Sequence, residues 1–169
     1  MIKVALYNYV PSKFLHMASF DEVCMHYTIL EFKDGRKKAQ EWASKVIGKA
    51  LSGKERNDVV FVCTPAHSYY MNNKRYANFS KNVCEICGCI DGFSHVFVSE
   101  DCKPVHCKIR KGSCDTLENI FIDKPFFQGK KVIIFDDIIT TGKTSDRMRD
   151  IMESCGARVI CTSFRRWKV

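Results

Sequence analysis

The chain has 169 residues, of which 46% are hydrophobic and 27% are charged, a balance typical of a globular protein that indicates one domain over residues 1–169. No apolar run approaches the roughly 20 residues that a bilayer-spanning helix needs. The first residues reach polar and proline positions too soon for a signal peptide, so we expect a cytoplasmic protein. The formal net charge of +8 favours an anionic partner, either a nucleic acid, an acidic membrane face or a polyphosphate ligand.

In chain order, the first predicted element is a strand at residues 4–7. A helix is predicted over residues 34–53, where apolar side chains recur at helical spacing. A buried strand follows from Asp58 and is stopped by Pro65. Residues 67–73 are predicted as a polar and aromatic loop, and a second helix follows over residues 74–88. The broad apolar face of the first helix consists of Ala39, Trp42, Ala43, Val46, Ile47, Ala50 and Leu51.

The second half of the chain continues this alternation. Strands are predicted at residues 95–101, 132–135 and 157–164, and a helix that ends at Gly156 lies between the last two. Helices of this length between strands indicate crossover connections, so the predicted fold class is α/β, a mostly parallel twisted sheet with helices on both faces. The stripe that predicts the last helix consists of Met148, Ile151, Met152 and Cys155.

Residues 100–119 show no clear periodicity and form a longer loop than a compact domain usually carries. This loop contains four basic residues, which fit either a mobile lid over an anion or a solvated basic surface. They are Lys103, Lys108, Arg110 and Lys111.

The ten cysteines are interpreted as reduced thiols, because a cytosolic chain of this size does not need disulfides to form a core. One cluster of cysteines has metal-ligand spacing, at Cys84, Cys87 and Cys89, and Cys102, His106 and Cys107 could supply a second half-site for zinc. Cys84 and Cys87 also continue the helical stripe of Tyr76, Phe79, Val83 and Ile86. We therefore expect small core residues rather than a metal site.

The segment "VIIFDDIITTGKTSDRM", residues 132–148, carries the clearest chemical signal. A buried strand runs into a polar loop that begins at Asp136, and the loop leads into a helix. In open α/β sheets, ligands bind at this carboxyl end of the strands. Unpaired amides and the positive end of the helix dipole suit a phosphate, to which Thr140, Thr141 and Thr144 would add hydroxyl donors.

The triplet Gly142, Lys143 and Thr144 raises the alternative of a nucleoside triphosphate P-loop. That motif requires a glycine where this sequence has Asp137, and a carboxylate there would repel a triphosphate. Two adjacent carboxylates instead suit vicinal hydroxyl groups, since an ionised carboxylate only accepts hydrogen bonds. The predicted ligand is a ribose 5-phosphate unit.

Residues 132–144 resemble the phosphoribosyl pyrophosphate (PRPP) motif of type I phosphoribosyltransferases. More loosely, residues 27–166 resemble the ComF or amidophosphoribosyltransferase-like branch, which has a basic helix, a strand ending in proline and an Arg-Gly-aromatic-Asn element. The corresponding stretches here are residues 34–52, "VVFVCTP" and "KRYANF". Tyr76 stands where relatives usually have glycine, and Thr140 stands where purine-salvage relatives have aspartate, which disfavours a 6-oxopurine acceptor.

The resemblance implies a role for each matching residue. Asp136 and Asp137 would hold the ribose hydroxyls, Arg75 matches the family arginine and Asn78 its asparagine. Residues 100–119 would form a flexible hood. The 5-phosphate would be cradled by Thr140, Thr141, Gly142, Lys143 and Thr144, and the pyrophosphate would lie against Cys63, Thr64, Pro65 and Arg75. Magnesium would arrive with PRPP instead of occupying a protein cage, so no protein metal site is predicted.

The resemblance predicts transfer of ribose 5-phosphate to an unknown nitrogen nucleophile with release of pyrophosphate, in nucleotide metabolism. Asp136, Asp137 and Arg75 are the predicted catalytic residues. No general base is identifiable, although His67 and His106 are candidates because a histidine side chain can exchange a proton near neutral pH. The alternative is a non-catalytic PRPP sensor or a DNA-uptake accessory protein. A nucleic acid partner is possible but not favoured, a membrane partner is not expected, and a homodimer is possible.

Overall fold

The computed structural model describes residues 3–53, 56–98, 117, 120–139 and 142–167, and its centre is a five-stranded sheet in which all neighbouring strands are parallel. Parallel neighbours require crossover connections, which the intervening helices provide. In their order across the sheet, the strands are Lys3–Tyr9 (β1), Arg158–Trp167 (β7), Lys131–Ile139 (β6), Val59–Cys63 (β2) and Ile90–Asp91 (β3).

Helices cover both faces of this sheet, which confirms the predicted α/β class. No described helix combines the length and apolar character needed to cross a membrane. Two short 3-10 helices lie at Ser12–Met17 and Phe93–His95. The α-helices are Phe20–Lys33 (α1), Lys37–Leu51 (α2), Tyr69–Cys87 (α3), Lys124–Phe127 (α4) and Lys143–Ser154 (α5).

Alternate residues of β2 enter two different cores, because successive side chains of a strand point to opposite faces. Phe61 joins an aromatic core between the sheet and α1, α2 and α3, whereas Val60 and Val62 join an aliphatic core on the side of α5. The aromatic core includes Phe32, Phe61, Tyr76, Phe79 and Phe135. The aliphatic core includes Val60, Val62, Val132, Ile134, Met148 and Met152.

Several predicted elements are confirmed, among them the strands that became β1, β2 and β7 and the helices that became α2 and α5. The prediction of a loop over residues 67–73 was wrong. Most of that stretch is the first part of α3, whose amino terminus is capped by the Ser68 side chain accepting from the Met71 amide.

The strand predicted at residues 95–101 was assigned to the wrong sheet. Its described part, Val96–Val98 (β4), pairs antiparallel with Ile120–Ile122 (β5) in a separate two-stranded ribbon. Alternation along β4 buries Val96 and Val98 and exposes Phe97. The predicted hood at 100–119 lies outside the described residues, apart from Leu117.

Two helix faces also differ from the predicted ones. On α2, Ala50 is exposed, whereas Gln40, Ser44 and Gly48 are buried. Gly48 is buried because α3 comes very close at this point, where a methyl group would lie 2.7 Å from the Ile86 Cβ. Ile86 itself is 41% exposed, although the predicted α3 stripe placed it inside.

Cys84 and Cys87 are buried in the aromatic core, which confirms their interpretation as small core residues. Within the described ranges, no three His, Cys, Asp or Glu side chains form a group that could hold a metal ion. Cys102, His106 and Cys107, the alternative second half of a zinc site, lie outside those ranges.

Candidate active site at the carboxyl ends of β2 and β6

The candidate site lies where β2 leaves the sheet and β6 continues. The two strands pair until Cys63 and Phe135, and the Thr64 amide then donates to the Phe135 carbonyl at 2.8 Å. Beyond this point β6 runs to Ile139 in register with β7. The prediction that a loop begins at Asp136 was therefore wrong, since both acids belong to the strand.

A small polar cavity of about 230 Å³ occupies the space that β2 vacates. It brings together side chains from the end of α1, the segment after β2, the second turn of α3, the end of β6 and the start of α5. The lining residues are Lys33, Thr64, Pro65, Ala66, His67, Arg75, Tyr76, Asp136, Asp137, Ile138 and Thr144.

Asp137 carries the main ion pairs of this cavity. Its Oδ1 lies 3.4 Å from the Lys33 Nζ, and its Oδ2 lies 3.4 Å from the Arg75 Nη1. The Arg75 Nε also donates to the Lys33 carbonyl at 2.9 Å. Because Asp137 is only 7% exposed, a charge at this position depends on such partners.

Asp136 is in a different electrostatic state. Burial of its carboxyl group and repulsion from Asp137 raise its pKa to about 7, against the opposing influence of Lys33 and Arg75. Asp136 therefore retains its proton to a higher pH than an exposed aspartate does. The two acids of the motif are not equivalent, since Asp137 has two cationic partners and Asp136 exchanges a proton near physiological pH.

The segment after β2 was predicted to bind pyrophosphate. Thr64 and Pro65 line the cavity, but the Cys63 side chain is buried in the aromatic core. The Thr64 Oγ1 is buried and has no hydrogen-bond partner among the described residues. The Asn72 Oδ1 holds the turn by accepting from the Ala66 amide at 3.0 Å. The segment thus presents a fixed backbone and one unsatisfied hydroxyl group.

The amino terminus of α5 was predicted to bind the 5-phosphate. Gly142 immediately precedes the helix with φ +81, a conformation that a side chain would strain. Its carbonyl accepts from the buried Ser145 hydroxyl at 3.0 Å. Thr144 lines the cavity, whereas Lys143 is exposed and is not among the lining residues. Thr140 and Thr141 lie outside the described residues.

Sequence reasoning missed Lys33, because α1 itself was not predicted. Ser19 and Glu22 form a capping box at its amino terminus, and this signature could have revealed the helix. Tyr76, which replaces the family glycine, is 2% exposed and packs 6.1 Å from Phe32, measured between ring centroids. Its ring lies 5.5 Å from the Arg75 guanidinium. Asn78, by contrast, is exposed and lies outside the cavity.

A larger cavity of about 690 Å³ lies elsewhere, between α1, α2 and β1. We call it the α1–α2 groove. Neither Asp136 nor Asp137 lines it, so volume alone does not identify the reactive site. Its lining residues are Tyr7, Asp21, Glu22, Cys24, Met25, Thr28, Glu31, Lys38, Ala39 and Trp42.

Comparison with known proteins identifies the family of the chain. Residues 28–164 match the sequence profile of the family described as "Phosphoribosyl transferase domain". The match covers most of the chain and includes every described residue that lines the small cavity. The chain belongs to this family. A search of curated proteins found no significant match.

Proposed function

We propose that the chain is a phosphoribosyltransferase that binds PRPP in the small cavity and transfers its ribose 5-phosphate to a nitrogen nucleophile, releasing pyrophosphate. The observation that carries this proposal is the convergence of the Asp136–Asp137 pair, the Thr64 turn and the start of α5 in one cavity. Family membership supports phosphoribosyl transfer in general. The proposal adds the ligand's position and orientation.

The sugar half of PRPP would lie along the end of β6. Ionised Asp136 and Asp137 would accept hydrogen bonds from the vicinal ribose hydroxyls. The 5-phosphate would point toward α5, whose first amides and positive dipole end favour an anion. The resemblance assigns this phosphate to residues 140–144.

The pyrophosphate half would lie against the turn after β2 and the cations beside it. The buried Thr64 hydroxyl lacks a partner among the described residues, and a phosphate oxygen would satisfy it. Arg75 is the predicted residue for the leaving group, and Cys63 can contribute only through its backbone because its side chain is in the core. Positive charge here would stabilise the charge that develops as pyrophosphate departs.

Magnesium fits this site as a companion of PRPP. Asp137 already has two cationic partners, and no described metal-binding group of three or more side chains exists. Asp136 is therefore the one acid of the pair left for a contact with the ion, and ligand oxygens would provide most of its coordination. When bound, magnesium would neutralise pyrophosphate charge. The chain's own residues orient the sugar and exclude water.

The resemblance to the ComF branch rests on the basic α2, the proline after β2 and residues 74–79 of α3, and we propose membership of that branch. The alternative, a PRPP sensor that does not turn over, would use the same cavity. Release of pyrophosphate with an acceptor therefore separates the two functions.

The first experiment measures the melting temperature with magnesium and PRPP. A ligand that binds only the folded state at a hundredfold its Kd adds about 2.7 kcal/mol to the free energy of unfolding. We expect a clear rise with PRPP. An unchanged melting curve would overturn the proposal. A pyrophosphate-release screen over nucleobases and amines, with PRPP as donor, then tests catalysis.

A further inference from the structure

Lys33 and Arg75 are both cations beside Asp137, but they are held differently. The Arg75 side chain is 14% exposed, and it is fixed at two points, by the Lys33 carbonyl at 2.9 Å and by Asp137. The Lys33 side chain is 33% exposed, and its Nζ lies 3.4 Å from Asp137 in an ion pair. A lysine ammonium on a flexible stem reorients more readily than a guanidinium held from two sides.

The position of Lys33 places its ammonium group beside the proposed pyrophosphate site. Lys33 is the last residue of α1 and lines the same cavity as the Thr64 hydroxyl, which has no hydrogen-bond partner among the described residues. Asp137 offers a single negative charge, already shared with Arg75, whereas a pyrophosphate group offers several. The Coulomb attraction therefore favours movement of the ammonium to the ligand once pyrophosphate is present.

We propose that Lys33 is a PRPP-binding residue whose ammonium leaves Asp137 and pairs with the pyrophosphate group, while Arg75 stays on Asp137 as its fixed counterion. This inference rests on the proposed function and reassigns the pyrophosphate contact, predicted for Arg75, to Lys33. No covalent step is involved, since the ammonium exchanges one anionic partner for another.

The exchange has a consequence for the sugar half of the ligand. When Lys33 leaves, the Oδ1 of Asp137 becomes available as an acceptor for a ribose hydroxyl, while the Oδ2 keeps Arg75. Pyrophosphate binding therefore frees one carboxylate oxygen of Asp137 for a hydrogen bond from the ribose.

The test measures binding of magnesium pyrophosphate and of ribose 5-phosphate separately, by calorimetry, to wild type and variants. Lys33→Met keeps the apolar stem and removes the charge. Because a charge-assisted hydrogen bond is lost, we expect pyrophosphate affinity to fall about tenfold or more. Ribose 5-phosphate affinity should not fall and should rise, because the variant leaves the Asp137 Oδ1 without its lysine partner and available to a ribose hydroxyl. Lys33→Arg should restore most of the pyrophosphate affinity.

Lys45→Met is the matched control, since Lys45 is an exposed residue of α2 that does not line the cavity. It should leave both affinities unchanged. If Lys33→Met binds pyrophosphate as wild type does, or weakens both ligands equally, the exchange is refuted while the proposed function stands. If wild-type protein binds neither PRPP nor pyrophosphate, the proposed function fails and the inference falls with it.

Discussion

Two cavities on different sides of α1 show what distinguishes a reactive site from an empty space. The α1–α2 groove has about three times the volume of the small cavity, approximately 690 against 230 Å³. Residues two apart on a helix project to nearly opposite sides, so Glu31 lines the groove and Lys33 lines the cavity. One helix thus separates the two spaces.

The difference lies in the state of the polar groups. In the groove, the Thr28 hydroxyl donates to the Cys24 carbonyl at 2.9 Å, a local bond within α1. In the cavity, Thr64 has no partner within the described structure, Asp136 has a pKa raised to about 7, and Asp137 lies between two cations from different helices. Unsatisfied groups and perturbed charges indicate chemistry better than volume does.

The largest expected effect comes from Asp137→Asn. The amide keeps the shape of the side chain but leaves Lys33 and Arg75 close together without a carboxylate. Breaking such a pair costs about 3 kcal/mol of unfolding free energy, which urea denaturation measures. The PRPP-induced rise in melting temperature should also disappear.

Asp21→Asn in the groove is the matched change for that experiment. Asp21 is exposed, so this variant should retain wild-type stability and the full PRPP response. Loss of the PRPP response in Asp21→Asn, or its persistence in Asp137→Asn, would contradict the assignment of PRPP to the small cavity and not to the α1–α2 groove.

The second prediction uses pH to probe Asp136. Its folded-state pKa of about 7 lies above the ordinary 3.8, so the folded state retains a proton that the unfolded chain has lost. The resulting stability is fully present below about pH 4 and is lost as pH rises through about 7, at up to roughly 1.4 kcal/mol per pH unit.

Denaturation of wild type and Asp136→Asn between pH 5 and pH 8 (about three pH units) measures this contribution. Asparagine cannot ionise, so the stability of wild type should decline relative to the variant over that range. Parallel curves would show that Asp136 titrates at its ordinary pKa. PRPP affinity of wild type should rise over the same range, since the ionised carboxylate accepts the ribose hydroxyls.

The third prediction concerns Gly142→Ala. Both Gly142 and Gly129 have positive φ, +81 and +75, and alanine costs roughly 1–2 kcal/mol in this conformation. Gly129 lies in the turn before β6, away from the cavity, so Gly129→Ala serves as the matched control. The two variants should lose similar stability in urea, but only Gly142→Ala should bind ribose 5-phosphate more weakly. Equal affinities would remove the start of α5 from the phosphate site.

The smallest effect is expected from Thr64→Val. Valine has nearly the same shape and removes a hydroxyl that has no partner among the described residues, so stability should stay constant or rise by about 1 kcal/mol. PRPP affinity should fall by about threefold to tenfold, because one hydrogen bond to the ligand is lost. Thr28→Val in the groove should show the reverse, a small loss of stability with unchanged PRPP affinity. Calorimetry measures the PRPP affinity of each variant, and thermal melts measure its stability. Unchanged PRPP affinity in Thr64→Val would exclude Thr64 from the pyrophosphate contact.

The sequence predicted those parts of the site that depend on local patterns. The apolar run before Asp136 specified a buried strand, and the stripe of Met148 and Met152 specified α5. Both patterns involve residues close together in the chain, so they can be recognised from the sequence without the tertiary structure. The order of the strands across the sheet carried no comparable signal.

The remaining parts depend on contacts between distant residues. Lys33 meets Arg75, 42 residues later, only after α1 packs on the sheet. The pattern of α1 was hard to detect because Phe20 and Tyr27 are exposed, at 80% and 57%, while Ile29 and Phe32 are buried. Apolar residues therefore occur all around this helix and give no clear period. The placement of β4 in a ribbon likewise depends on its pairing with β5, a strand that comes later in the chain.

The unequal lengths of β2 and β6 have a further consequence. The pairing of β2 with β6 ends at Phe135, although β6 continues to Ile139, so this part of β6 is not paired with β2. A ligand beside this part of β6 would take the place of a neighbouring strand. It would face main-chain groups of β6, which side-chain substitutions do not remove. In the proposed complex, contacts of the sugar phosphate with these main-chain groups would therefore survive substitution of the side chains around them.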